Sequence, residues 1–559
     1  MIRRLALCLL IGIFPSLLRG AEWRPAPGPL ATRWSKDVSP ERVLPEYPRP
    51  QMVRDAWQNL NGLWQLAIAG EGESPPVGND LARRILVPFP IESALSGVME
   101  RAERLWYRRH FTLPTAWSGK RVLLHFGAVD WETRVWLNGR QLGTHRGGYD
   151  PFSFDITDTL AASGPQEIVV GVFDPTDIGP QPRGKQVSKP EGIYYTPTTG
   201  IWQTVWLEPV AESHLAKLRI VPDVDAKAVR VTALADRVSD AHRVRIAVRD
   251  GEQFVARGVG RVGQAIEIKI QGAKLWSPES PFLYDLEVEL LEGDRVVDRV
   301  RSYCGLRKIE LGRGERGEMR ILLNGKPYFQ IGPLDQGFWP DGLYTAPSDE
   351  ALRYDLEMTK AFGFNMTRKH VKVEPERWYY WCDKLGLLVW QDMPSGNASV
   401  GQGKGEIRRA AAAAQQFEQE LKCMIDALAN HPSIVMWVIF NEGWGQYDTA
   451  RLTNWVKGYD PTRLANAASG WNDMQVGDVH DIHAYPGPTS PEPEPRRAAV
   501  LGEFGGLGLG VDGHTWSQQT WGYRSTQSSD ELTRKYERLL EEVWKLKGEP
   551  GLSAAVYTQ

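Results

Sequence analysis

Two β-sandwiches followed by a (β/α)₈ barrel form the architecture that the sequence predicts. Three observations predict it. From about residue 51 to 305, short stretches of alternating apolar and polar residues follow one another, with turn signals between them and no helix-length period. After Tyr303 the rhythm changes to apolar runs alternating with segments of 3.6-residue period. Third, Ile434-Val-Met-Trp-Val-Ile-Phe440 carries no charge and reads as a strand buried on both faces, as in a parallel sheet. At 559 residues the chain is too long for one core, so about three domains are expected.

The chain opens with Met1-Ile-Arg-Arg4 and an apolar run to Leu18, the pattern of a secretory leader over residues 1–21, cleaved near Gly20 or Ala21. Export to a periplasmic or extracellular location follows. The run is too short to span a bilayer and is broken by Pro15, so no membrane span is expected. Residues 22–50 hold Pro25, Pro27, Pro29, Pro40, Pro45, Pro48 and Pro50, which predicts an extended arm lying along another domain.

Residues 51–210 contain alternating stretches at 63–68, 121–126, 133–137 and 167–173, with Asn138-Gly139 as a hairpin turn. Such a series predicts a sandwich or jelly roll. Asp150 and Asp155 sit in turn sequence, where capping hydrogen bonds are expected rather than a bound cation. Residues 211–305 repeat the pattern at 229–234, 244–248, 265–270 and 284–290 and fit a small immunoglobulin-like sandwich with a supporting role.

Residues 306–559 form the barrel. Strands are expected at 328–332, 365–370, 387–392, 434–441, 464–468, 478–484, 499–503 and 553–558, and helices at 348–362, 375–385, 407–430 and 529–547. Ser348 before Asp349-Glu350 is an N-cap with acids in the first turn. The eighth strand coincides with the end of the sequence, so the barrel is expected to lack its last helix and the sequence to be a fragment.

Composition narrows the function. Lys plus Arg (66) nearly balance Asp plus Glu (69), which argues against nucleic acid as the partner. The cysteines Cys8, Cys304, Cys382 and Cys423 form no CxxC pair, so free thiols are expected. The 22 tryptophans suit stacking on sugar rings. No GxSxG elbow is present, and Gln402 stands where a Walker loop needs Lys.

The chemistry lies at the strand ends. Glu442 ends strand four and Glu503 ends strand seven, so both face the C-terminal rim where barrel active sites form. Two carboxylates across a cleft are what glycosidic cleavage needs: about 5 Å apart for retention, wider for inversion, and sequence alone does not choose. Asp335, Arg368, His370, Asp392, His483 and Tyr485 end or follow other strands, and Asn441 and Trp444 flank Glu442. An Arg keeps a neighbouring carboxylate ionised, and a Tyr hydroxyl can donate to it.

Trp106-Tyr-Arg-Arg109, Val135-Trp-Leu-Asn-Gly139, Gly148-Tyr-Asp-Pro-Phe152, Leu323-Asn-Gly-Lys-Pro327, Gly363-Phe-Asn-Met-Thr-Arg368, Cys382-Asp-Lys-Leu-Gly-Leu-Leu388, Phe440-Asn-Glu-Gly443 and Gly502-Glu-Phe-Gly505 form an ordered set. By it the chain resembles glycoside hydrolase family 2, the β-galactosidases, β-glucuronidases and β-mannosidases. The resemblance implies a sugar-binding-type jelly roll, an immunoglobulin-like domain and a catalytic TIM barrel. It implies Glu442 as general acid/base, Asn441 on the sugar 2-hydroxyl, and Glu503 as nucleophile of a retaining, exo-acting β-glycosidase. Arg368, His370, Asp335, Asp392, His483, Tyr485 and Trp444 are then substrate-binding candidates. A β-galactosidase-like activity is the reading, with β-glucuronidase, β-mannosidase or a non-catalytic glycan-binding protein as alternatives.

Two departures stand out. The family's Arg-x-Ser-His-Tyr-Pro at strand two is Arg368-Lys-His370-Val-Lys-Val here, one residue shorter before the His. The Asn-x-Lys that follows the nucleophile in β-glucuronidases has no counterpart between Glu503 and Gln559; Asn324-Gly-Lys326 lies in the hairpin entering the barrel. No cofactor is required by the resemblance. A Mg or Na ion is compatible with it but has no readable site, since His480 and His483 point to opposite strand faces. The expected partner is carbohydrate, and a homo-oligomer is left open.

Overall fold

A computed structural model describes residues 23–396, 398–517 and 521–558. The expected leader, with Cys8, lies outside them. The Pro-rich arm packs across the first domain and the barrel. Thr32 donates through its backbone and hydroxyl to Asp341 (both 2.7 Å), and Trp34 joins the barrel's apolar core.

The first domain is a sandwich of a six-stranded and a four-stranded antiparallel sheet. The two sheets close over Trp64, Leu105, Tyr107, Phe126, Val170 and Leu207. The Asn138-Gly139 turn joins Glu132–Leu137 to Arg140–Arg146, both turn residues having positive φ as this hairpin type requires. Asp155 accepts from Thr157 N (3.0 Å) and pairs with Arg121, the capping role expected of it. The second domain is a seven-stranded sandwich of a three-stranded and a four-stranded sheet.

A hairpin then forms the floor of the barrel. Ile309–Arg313 pairs with Met319–Leu323. Ile309, Ile321 and Leu323 pack against Met366, Leu388, Met436 and Val500, which closes the N-terminal end of the barrel. Asn324-Gly-Lys326 turns at this floor, at the end opposite the strand tips.

The barrel strands are β1 (Gln330–Asp335), β2 (Met366–Lys369), β3 (Leu388–Asp392), β4 (Ile434–Asn441), β5 (Leu464–Ser469), β6 (Val479–Ala484), β7 (Ala498–Gly505) and β8 (Ala554–Thr558). They run parallel in the order β5-β4-β3-β2-β1-β8-β7-β6. Between β5 and β6 the ladder gives way to side-chain bridges such as Asn466 Nδ2 to Asp481 Oδ2 (2.6 Å). Every residue of β4 and β7 is buried; β4 carries no charge, and Glu503 is the one charged residue of β7.

The helices are α1 (Asp349–Ala361), α2 (Glu376–Leu385), α3 (Ala411–Leu428), α4 (Thr449–Tyr459) and α5 (Ser529–Gly548). Ser348 caps α1 by accepting from Ala351 N (3.1 Å). Helix α4 was not expected: its two Thr, Asn and Gly are poor helix formers, and no side chain caps it. Leu452 and Val456, buried against β4 and β5, hold it in place. Among the described residues no helix follows β5 or β6; turns and loops replace them. No described helix is long and apolar enough to cross a membrane. Cys304, Cys382 and Cys423 are free thiols.

Candidate active site

The site is built where β2, β3, β4, β6 and β7 end. Glu442 follows the last residue of β4 in a left-handed conformation (φ +50°), which costs on the order of 1 kcal/mol for a residue with a Cβ. A hydrogen bond from its backbone N to Ser469 O (3.0 Å) holds the turn and aims the side chain inward. Glu503 lies inside β7 and is buried. A carboxylate oxygen of each, together with a His483 nitrogen, fall within 4.8 Å of one another. A gap of that order falls in the range of retaining glycosidases, whose two carboxyl groups stand about 5 Å apart.

Arg368, fully buried at the end of β2, organises one side. Its Nε and Nη2 grip both oxygens of Asp392 (3.0 and 2.9 Å), Nη1 reaches Glu503 Oε1 (3.3 Å), and Nη2 donates to Asn441 Oδ1 (2.8 Å). The pairing with Asp392 fixes the guanidinium plane, so its charge is held against Glu503. With Asn441 Oδ1 engaged, the amide NH₂ remains to donate to a sugar hydroxyl. Tyr485 donates to the other Glu503 oxygen. Burial alone would raise the Glu503 carboxyl; the charges of His483, Arg368 and Lys185 override it and hold the group at about 2. Glu503 is therefore an ionised carboxylate across the physiological range.

Glu442 meets a different environment. His483 Nδ1 lies 2.7 Å from Glu442 Oε1, and Nε2 lies 2.8 Å from Ser469 Oγ. The single Ser469 hydroxyl hydrogen goes to Asp481 (2.6 Å), so the Ser oxygen accepts from the ring. Nε2 then carries a hydrogen, and the hydrogen between Nδ1 and Glu442 Oε1 is shared by the ring and the carboxyl group. Burial opposes a charge on the ring, but Glu503 and Glu442 outweigh it and raise the ring's pKa above its ordinary value. A proton is thus stored beside Glu442 and a negative charge is kept on Glu503. Two neighbouring carboxylates in such unlike environments can support an acid and a nucleophilic role respectively. Gly502 permits this packing: a Cβ there would come within 2.2 Å of Asp481 Oδ1, which accepts from Gly502 N (2.7 Å).

His370 is brought to the site despite its shortened spacing. Its Nδ1 lies 3.0 Å from Asp392 Oδ2, and burial lowers its pKa so that it stays neutral. Trp444 stands between the His370 ring and Tyr194, with centroid distances of 6.4 and 5.7 Å. Asp335 is the exception among the candidates. The register pairs it with Lys369, to which its carboxylate is bound (2.8 Å) in a group with Glu374 outside the barrel. Arg368 and Lys369 alternate inward and outward, and Asp335 follows the outward phase. Its assignment as substrate-binding is corrected accordingly.

Sequence reasoning missed several residues. Ser469 and Asp481 orient His483, and no local motif marks them. Tyr523 stacks on Tyr485 (4.3 Å, 9°), with Trp521 at its edge (4.7 Å) and partly exposed. Tyr194 and Lys185 come from the first domain, in which the sequence reading named no site residue. As for metals, Glu442, His483 and Glu503 could hold an ion by distance alone, but Arg368 and Lys185 set positive charge against them. A second acidic group, Asp473, His480 and Glu494, already carries Arg497 as its cation (2.7 and 2.6 Å).

Three family profiles match the chain: "Glycosyl hydrolases family 2, sugar binding domain" over 47–181, "Glycosyl hydrolases family 2" over 213–307, and "Glycosyl hydrolases family 2, TIM barrel domain" over 320–494. The last ends before β7, so it includes Glu442 and not Glu503. A putative β-glucuronidase of Formosa agariphila is 29% identical over 66% of this chain and 43% of its own length. A β-galactosidase of Thermoanaerobacter pseudethanolicus is 27% identical over 62% and 46%. A β-glucuronidase of Rattus norvegicus is 26% identical over 71% and 65%. The chain thus spans less than half the length of the first two. The fold is similar to that of a Ruminococcus gnavus β-glucuronidase solved with D-glucuronic acid (TM-score 0.72, 19% identity, 92% of this chain and 93% of that one).

Proposed function

The chain belongs to glycosyl hydrolase family 2, and on that premise we propose that it is a retaining β-glycosidase acting by double displacement on a terminal β-linked sugar. The observation that carries the reading is the pair of unlike carboxylates whose oxygens lie within 4.8 Å at the C-terminal rim. Glu503, ionised and aimed by Arg368 and Tyr485, attacks the anomeric carbon. Glu442, supplied by the proton held with His483, protonates the departing glycosidic oxygen. The same Glu442, now basic, then takes a proton from the water that releases the sugar from Glu503. Asn441, fixed by Arg368, donates to the sugar 2-hydroxyl. Export, read from residues 1–21, is part of the same proposal.

A neutral galactoside and a glucuronide are both supported as substrates, since the relatives' names divide between them. The glucuronide reading gains from one further observation, the buried ammonium of Lys185 beside the carboxylate pair. The test is a panel of 4-nitrophenyl β-galactoside, β-glucuronide and β-mannoside, followed by ¹H NMR of the first sugar released. Turnover of at least one, with the β-anomer appearing first, is expected. No turnover with glycan binding intact would replace the proposal with a non-catalytic glycan-binding role.

A further inference from the structure

Lys185 is a residue of the first domain, yet its charge acts on the barrel's carboxylates. The loop that carries it is clamped to the barrel. Arg183 N and Gly184 N both donate to Ser395 O (2.8 Å each), just beyond β3. Gly184 has φ +61°, and a Cβ there would lie 2.4 Å from Val371 O, so only glycine fits this approach. On the far side, Gln186 Nε2 donates to Asp130 Oδ2 (2.8 Å) and its Oε1 accepts from Thr198 N. Arg183 Nη1 closes the turn on Gln186 O (2.6 Å). The position of Lys185 is thus fixed from both domains before any substrate arrives.

The side chain is 6% exposed. Its Nζ lies 5.9 Å from the centroid of the Trp444 ring, which His370 and Tyr194 also meet. Burial lowers its pKa, and the charges of Glu503 and Glu442 work against that fall. Glu503 has its own partners in Arg368 and Tyr485, and Glu442 has His483. Among the described residues no oxygen accepts a hydrogen bond from Lys185 Nζ, although an ammonium carries three donors. An ammonium held in a cleft with no protein oxygen on its donors is one that a ligand in the cleft can satisfy.

We propose that Lys185 is a specificity-determining residue that receives an anionic oxygen group, a carboxylate or a sulfate ester, on the sugar seated between Glu442 and Glu503. The cation is contributed across the domain boundary, so the first domain selects the substrate that the barrel cleaves. The inference rests on the glycosidase reading above and names its substrate class. Trp444, stacked on Tyr194 and near Lys185, supplies an apolar wall against which the sugar ring can lie.

The test compares wild type, Lys185→Met and Lys185→Arg on 4-nitrophenyl β-glucuronide, β-galactoside and β-galactoside 6-sulfate at pH 7, where Glu503 is ionised in every variant. Lys185→Met is expected to lower kcat/KM on the anionic substrate by about 10²-fold. Any loss that follows from the charge Lys185 sets against Glu503 falls on the neutral galactoside as well, so the about 10²-fold effect is read as the change in the ratio of the two kcat/KM values, and Lys185→Arg should restore part of it. The β-glucuronide and the sulfated arm distinguish carboxylate from sulfate recognition. Calorimetric titration with D-glucuronate, galactose 6-sulfate and D-galactose gives a readout that needs no turnover. Binding of an anionic sugar that Lys185→Met removes would support the inference even if no glycoside were cleaved. Equal losses on anionic and neutral substrates, wild-type preference for the neutral galactoside, or no binding of either anionic sugar would overturn it.

Discussion

Glu503→Gln is expected to reduce turnover by on the order of 10⁴-fold or more on every glycoside the protein cleaves, activated aryl glycosides included. The substitution keeps the shape of the side chain and removes its charge. Glu503 is the group on which the first domain, β2 and β6 concentrate their cations, and they hold it at about 2. An amide there leaves Arg368 and Lys185 without the charge they face and gives the anomeric carbon no nucleophile. In the proposed mechanism the acylal bond to Glu503 forms in the first step, so a better leaving group should not bypass the loss. Steady-state kinetics on 4-nitrophenyl and 2,4-dinitrophenyl glycosides check it; substantial recovery on the dinitrophenyl substrate would contradict the role.

Glu442→Gln should behave differently, and the difference is diagnostic. General acid catalysis contributes about 10²–10⁴-fold, so substrates with poor leaving groups should lose that much. For 2,4-dinitrophenyl glycosides, which need little protonation, formation of the glycosyl-enzyme should survive and its hydrolysis become slow. Azide, which needs no general base, should then restore turnover and yield a β-glycosyl azide. The pH profile carries the same information. On the proposed roles, wild-type activity depends on the proton held between Glu442 and His483, whose pKa is raised above the ordinary histidine value. Activity should therefore fall as pH rises through that value, and the alkaline limb should vanish in Glu442→Gln on the activated substrate. Equal losses in both variants, with no azide rescue, would sink the assigned division of labour.

What sequence could and could not disclose follows from the range of the interactions. Ile434 to Phe440 announced a doubly buried strand because burial on two faces excludes charge, and the switch to Asn441-Glu442 marked where the strand reaches the cleft. Glu503 was legible in the same way at the end of β7. The parity argument also separated His480 from His483, which meet Glu494 and Glu442 respectively. The same parity, applied from Arg368 across the β1–β2 register, would have sent Asp335 outward to Lys369. The register itself is not in the sequence. Ser469 and Asp481 look like any polar strand residues until β5 and β6 meet. Helix α4 is weak by propensity and is held by tertiary burial. Lys185 was the least legible, because it reaches the cleft through a domain contact between residues more than two hundred positions apart.

The central claim is that Glu503 becomes covalently bonded to the sugar. The most direct measurement is incubation of the protein with a 2-deoxy-2-fluoro β-glycosyl fluoride of the preferred sugar, followed by peptide mass spectrometry. The account predicts stoichiometric inactivation, with the fluoroglycosyl mass on the peptide that contains Glu503 and none in Glu503→Gln. Label on Glu442, or hydrolysis without a trapped intermediate, would contradict it.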